Sequence, residues 1–301
     1  MEKLIFANYY HFHRNNNKDI AISTKMVIQD FTGVYAEQPF MQGLQESAAP
    51  ERDIHWLDCT GIQGTDCYCD DEAVNAIRGQ IAKAGIENAE GIHFIDGGNY
   101  HYMSKIWTDM VQEPFSLVVF DHHPDMQAPR FGGILSCGGW VLEVLKHNRF
   151  VEHALLIGVA DHLIDEIRAE LSQTEDACIL DKVTFVKESE VTRKEIPGQA
   201  GEDKSNHSSL VSVGEPVEPL SSNLYLSIDK DALSPSFAAT NWDQGSLSTA
   251  MLKSIIASLA KEHKIIGIDI CGERARDVED AHADALNSEL NRELVGFLQN
   301  F

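Results

Sequence analysis

Short apolar runs recur along the chain at residues 4–7, 54–57, 92–95, 117–120, 154–159, 183–186, 224–228 and 265–270. Each is too short for a helix and rich in the β-branched and aromatic residues that suit strands buried on both faces. Most are separated by longer stretches whose apolar residues repeat with a helical period, at 71–84, 140–147, 162–171 and 249–263. Strand alternating with helix, without tight hairpin signals, predicts an α/β fold: a three-layer sandwich around an eight-stranded, mainly parallel sheet. A last helix over 281–298 would close it. The chain is read as one domain over residues 1–301, with one segment that breaks the pattern. Residues 195–223 carry three prolines, paired serines and little apolar content, so they cannot bury enough surface to order cheaply. They are expected to form a flexible insertion. A lid over a site is the weaker expectation, because the segment feeds the N-terminal end of the 224–228 strand, whereas open α/β sheets bind ligands at the C-terminal ends.

The polar residues that end two of these runs carry the chemistry. The run 117–120 stops at Asp121-His122-His123-Pro124-Asp125. If the backbone stays extended there, Asp121, His123 and Asp125 share one side, and His122 and Pro124 point the other way. Two carboxylates and an imidazole converging on a point suit a divalent cation such as Mn, Fe or Zn. The run 224–228 ends in Asp229-Lys230-Asp231, two more carboxylates of equal parity. Ligands from both strand ends would make a site for two metals. His11 and His13, just past the first run, are metal candidates or pocket wall. The Cys67-Tyr68-Cys69 stretch is a weak metal signal and reads by default as loop packing.

Charge and cysteine usage narrow the setting. A net charge of −23 argues against nucleic acid or an anionic membrane as partner. No apolar run approaches the ~18 residues of a membrane span, and the N-terminus leads into a strand rather than a signal peptide. The six cysteines show no CxxC pair and no disulfide-framework spacing, as expected for a reducing cytoplasm. At 301 residues, a sizeable core is available to a single domain.

The run 92–95 is followed by Asp96-Gly97-Gly98-Asn99-Tyr100-His101. Gly-Gly-x-His, then Asp-x-His-x-Asp, then Ser-x-Asp-x-Asp with a following Pro-Ser-Phe is the motif order of the arginase (ureohydrolase) family. The stretches at Gly97-Gly98, Asp121–Asp125, Ser227–Asp231 and Pro235-Ser236-Phe237 resemble it across nearly the whole chain. The resemblance implies the arginase–deacetylase fold and a hydrolase of linear C–N bonds in guanidino or formimino compounds. It implies that Asp121 and Asp229 bridge two metals, usually Mn2+, with Zn2+, Fe2+ or Co2+ as alternatives. His123 and Asp231 would complete one site, and Asp125 would serve the other together with the histidine of the glycine motif. A metal-bound hydroxide would attack a small-molecule substrate. Family members commonly form trimers or hexamers, so a homo-oligomer is a candidate state.

Three departures qualify that picture. Tyr100 stands where the histidine belongs, and His101 can replace it only if the loop bulges or has begun a helix. Cys137 stands where arginases carry a catalytic histidine, as a candidate proton shuttle or simple packing. Arginases hold the guanidinium with a glutamate three residues past the strand-eight aspartate, whereas here Glu273 lies four past Asp269; it would either reach the substrate by way of a bulge at Gly272 or pair with Arg274 or Arg276. The rival readings are a one-metal, deacetylase-like amidohydrolase and a degenerate, non-catalytic metal- or metabolite-binding member. Phe120-Asp121-His122-His123 also resembles the motif of the DHH phosphoesterases, but the Asp-rich motifs that family needs are absent before residue 121.

Overall fold

The last strand in the chain lies in the middle of the sheet. In the computed structural model, which describes residues 25–46, 53–130, 132–192, 219–277 and 279–301, eight strands pair in parallel. They are β1 (Met26–Asp30), β2 (Ile54–Asp58), β4 (Ile92–Gly97), β5 (Phe115–Phe120), β7 (Val151–Val159), β8 (Val183–Lys187), β9 (Asn223–Asp229) and β10 (Lys264–Glu273). Their spatial order is β2-β1-β4-β10-β9-β5-β7-β8. Two further short strands, β3 (Tyr68–Cys69) and β6 (Leu135–Ser136), form a separate antiparallel pair.

Alternation along the central strands divides the core into two halves. In β5, Leu117 and Val119 enter one apolar cluster, while Val118 and Phe120 enter the other. The first cluster is covered by α2 (Asp71–Lys83), α3 (Met103–Thr108), α4 (Trp140–His147) and α5 (Asp161–Leu171), through residues such as Ile77, Trp107, Trp140 and Ile164. The second is covered by α1 (Pro39–Glu46), α6 (Glu188–Thr192), α7 (Thr249–Leu259) and α8 (Ala281–Leu298), through Met41, Ile256 and Leu294 among others. This is the three-layer α/β sandwich expected from the sequence. Side-chain caps fix several helix starts: Asp70 accepts from the Ala73 amide, Ser248 from Met251, and Asp280 from His282 and Ala283. Each satisfies amide donors that the first turn leaves unpaired.

Two expectations fall wholly or mostly outside the described residues. The strand expected at residues 4–7 lies outside the described residues, and β1 is a strand the periodicity did not single out. The insertion expected over 195–223 lies mostly outside the described residues as well, and its last residue, Asn223, already belongs to β9. Among the described residues no helix is long and apolar enough to cross a membrane.

Candidate metal centre

Three strands from the middle of the sheet, β5, β9 and, across the intervening β10, β4, deliver their C-terminal ends to one place. After β4 the chain turns at once into a short 3-10 helix, Gly98–Tyr100. The twin glycines are there because other groups press against the turn. A Cβ on Gly98 would lie 2.6 Å from the Trp242 ring, and one on Gly97 would lie 3.2 Å from the Glu273 carbonyl. The loop carrying Asn241 and Trp242 is latched to this turn: Asn241 Oδ1 accepts from the Gly98 amide, and Trp242 Nε1 donates to Asn99 Oδ1. Helical winding over these residues answers the question raised by the glycine motif. It turns Tyr100 away, to stack on Phe31 at 4.3 Å, and aims His101 inward.

His101 Nδ1 lies 3.2 Å from Asp121 Oδ2, 3.1 Å from Asp125 Oδ2 and 3.4 Å from Asp229 Oδ2. Its Nε2 is engaged with Ser227 Oγ at 2.8 Å, and Ser104 Oγ stands 3.0 Å from the same hydroxyl. This contact fixes the ring orientation and leaves Nδ1 for the site, as the supporting residues of metal-binding imidazoles do. On the other side of Asp121, His123 Nδ1 lies 3.4 Å from Asp121 Oδ1 and 2.9 Å from Asp231 Oδ2. Asp231 Oδ1 accepts from the His122 amide, and Asp229 Oδ1 accepts from the Asp231 amide. Strand parity holds for His122, whose ring turns toward Glu188 at 3.8 Å. At Asp125 the backbone is no longer extended. Its φ of 48° is in the left-handed region that aspartate tolerates better than most residues, and Trp140 Nε1 donates to its Oδ2 at 2.7 Å.

Two compact ligand groups result, His101–Asp121–Asp125 and Asp121–His123–Asp231, and Asp121 belongs to both. Asp229, expected to bridge two metals, gathers instead with His101 and the buried Cys271. The donor set fits divalent cations. Four aspartates that are at least nine-tenths buried (Asp121, Asp125, Asp229 and Asp231) face only two imidazoles. Such crowding of buried carboxylates is costly unless positive charge is supplied. Burial and the Asp231 carboxylate hold Asp229 well above the usual carboxylate range. Burial and the nearby Asp121 push Asp231 up to about 6. Burial alone would lower both imidazoles, but their carboxylate partners outweigh it, keeping His101 well above the ordinary value and His123 up at about 12.

The centre forms the floor of a cavity of about 420 Å³. Its walls include Cys67 and Cys137, Glu166 and Glu170 one turn apart on α5, Arg130, and the half-exposed Trp242. Cys137 therefore faces the cavity, whereas Glu273 does not. Glu273 is fully buried behind the site. Its carboxylate pairs with Lys230 and accepts from Gln38 Nε2 (2.8 Å), Asn287 Nδ2 (2.8 Å) and Asn291 Nδ2 (2.9 Å). The expected substrate contact is thus corrected, and so is the alternative of pairing with Arg274 or Arg276, which bond Asp284 and Glu37 instead. Lys230 takes this position because it has the opposite parity to Asp229 and Asp231. Sequence reasoning also passed over Glu166, Glu170 and Arg130, which carry no motif and become visible only as cavity wall. His11 and His13 lie outside the described residues.

The profile of the Arginase family matches residues 41–293, and the chain belongs to that family. An uncharacterised protein of Thermotoga maritima is 26% identical over 246 residues, 82% of this chain and 78% of that protein. Among solved structures, the agmatine ureohydrolase of Thermoplasma volcanium superposes with a TM-score of 0.55 at 14% identity, covering 96% of each chain. The arginase of Medicago truncatula gives a TM-score of 0.59 at 15% identity, covering 93% of this chain and 87% of that one. At such identities the likeness is one of fold.

Proposed function

We propose that the protein is a hydrolase of a linear C–N bond in a small guanidino or formimino compound, working with one or two divalent cations of which manganese is the first candidate. The observation that carries this reading is the pair of ligand groups sharing Asp121 at the floor of a cavity. Membership of the arginase family supports it, as does the fold shared with an agmatine ureohydrolase and an arginase. His101, Asp121 and Asp125, and Asp121, His123 and Asp231, would hold the cations, which would supply Lewis acidity and lower the pKa of a water. The chain's own residues do the rest. Ser227 orients His101, and the Asp231 carboxylate orients His123. Cys137, kept protonated by its contact with Cys67 and by burial, is placed in this reading as a proton donor rather than a base. With Glu273 committed elsewhere, Glu166 and Glu170 are the cavity carboxylates outside the ligand groups, and we assign them to a cationic part of the substrate, with Arg130 available to an anionic end.

The withdrawal of Glu273 favours one second reading, hydrolysis of an uncharged amide as in a deacetylase, where no carboxylate is needed beside the reacting carbon. A substrate panel on manganese-loaded protein decides. Urea or formamide release from guanidino or formimino compounds is expected. Acetate release from acylated amines, without either product, would establish the second reading instead.

Cation binding should depend on pH with a definite sign. Asp231 holds its proton up to about pH 6 and His123 up to about 12, so loading must expel protons, at least about one per ion. Affinity should therefore rise from pH 6 to 8. Stability of the cation-free protein should move the opposite way. His123, raised from its ordinary 6.5 to about 12, stabilises the fold fully below the ordinary value and gives up that contribution as pH rises toward the folded one, across pH 6 to 8 and beyond. Asp231 has by then lost its own, between its ordinary 3.8 and about 6. Titration calorimetry in buffers of different ionisation enthalpy counts the protons. A pH-independent affinity with no proton release would contradict this ligand set.

A further inference from the structure

The antiparallel pair of β3 and β6 sets Tyr68 opposite Ser136 and Cys69 opposite Leu135. Continued by one position, the same register sets Cys67 opposite Cys137, and the Cys137 amide donates to the Cys67 carbonyl at 2.9 Å. The two thiols are close enough to shift one another's acidity, and both line the cavity, open to small solutes. Directly opposed residues of an antiparallel pair have Cα atoms about 4.5–5.5 Å apart, within the roughly 4.4–6.8 Å span of disulfides. We propose that Cys67 and Cys137 form an oxidisable dithiol in the wall of the cavity, a modification site for two-electron oxidants of the peroxide class.

The chemistry balances without other cofactors. The Cys67 sulfur attacks one peroxide oxygen, the O–O bond breaks and a sulfenic acid forms as the first water leaves. The Cys137 sulfur then attacks the Cys67 sulfur, the S–S bond forms, the S–O bond breaks and a second water departs. Two thiols and one hydrogen peroxide become one disulfide and two waters. Cys67 is the better attacking partner, because the neighbouring Cys137 thiol lowers its pKa despite burial and the nearby Asp66, and the thiolate is the reactive form. The backbone φ of 59° at Cys67 belongs to the turn that presents this sulfur across the ladder. The other cysteines are poorer targets. Burial pushes Cys59 and Cys69 up to about 12 and raises Cys271 also. Cys178 is exposed but has no thiol opposite it comparable to Cys137.

The test uses the whole protein and hydrogen peroxide at a small molar excess. Free thiols, counted after denaturation, should fall from six to four and return on reduction. Non-reducing peptide mapping should show residues 67 and 137 joined, with a loss of two hydrogen atoms. Oxidation should also protect both from alkylation together while Cys178 still reacts. Cys67→Ser and Cys137→Ser should each abolish the link; if either variant folds poorly, the paired protection from alkylation in the wild type tests the same link. Overoxidation of either cysteine without the link, or a link between Cys67 and Cys69, would overturn the assignment.

Discussion

Replacement of Asp121 by Ala is expected to remove tightly held divalent cation altogether and to lower turnover of any substrate by at least about 10³-fold, since the acidified water on which such hydrolysis depends is lost with the cation. The reason is its position. Asp121 closes both the His101–Asp121–Asp125 and the Asp121–His123–Asp231 groups, so one substitution opens both. Asp125→Ala opens only the first, and it also leaves the buried Trp140 Nε1 without its acceptor. It should cost one ion and some thermal stability, yet spare the other ion. Elemental analysis after chelation and reloading reads both outcomes. An Asp121→Ala protein that still holds wild-type cation content would show that the shared-ligand assignment is wrong.

Glu273→Gln should be severe for stability in spite of its near-identical shape. The carboxylate receives Lys230 and three amide donors, from Gln38, Asn287 and Asn291. An ionised carboxylate only accepts, and it can satisfy all four; a glutamine has a single oxygen and brings two donors of its own. The change strands a buried lysine charge as well, a class of lesion worth about 3–5 kcal/mol. At roughly 2–4 °C per kcal/mol for domains somewhat smaller than this one, the melting temperature should fall by on the order of 10 °C. A glutamate that served the substrate would behave differently, with lower kcat/KM and an unchanged melting curve. That second pattern would return Glu273 to the catalytic site.

The fold was legible in the sequence where burial is two-sided and the apolar runs are uninterrupted. It was not legible at β1, where Met26-Val27-Ile28 gives way to Gln29. That side chain is nevertheless buried, because its Oε1 accepts from Trp107 Nε1 at 2.8 Å, and no local pattern announces a polar group satisfied from a distant helix. In the site, strand parity sufficed for Asp121 and His123, although the chain bends at 122 and 123, just past the end of β5. It reached Asp125 only because a left-handed turn re-aims the side chain. His101 became readable once the glycine turn was seen to wind as a 3-10 helix. The side of the sheet that Glu273 faces could not be read locally. It depends on Gly272 at a φ of 91°, on the intervening lysine at 230, and on partners as far as 235 positions away.

The central position of β10 also bears on how the protein is made. Until Lys264–Glu273 leaves the ribosome, β4 and β9 are sheet edges with unpaired backbone rather than neighbours of a common strand. Exposed edges of this kind invite pairing with other chains, and such long-range strand pairing is slow to form. The four aspartates of the centre sit at or just past the ends of β5 and β9, and the His101 imidazole that meets three of them sits beyond β4, on the far side of the gap that β10 fills. A nascent chain therefore carries most of these side chains long before it can hold them together, because the halves of the centre share one sheet only once β10 has been made. Its exposure to misassembly lasts until β10 joins β4 to β9.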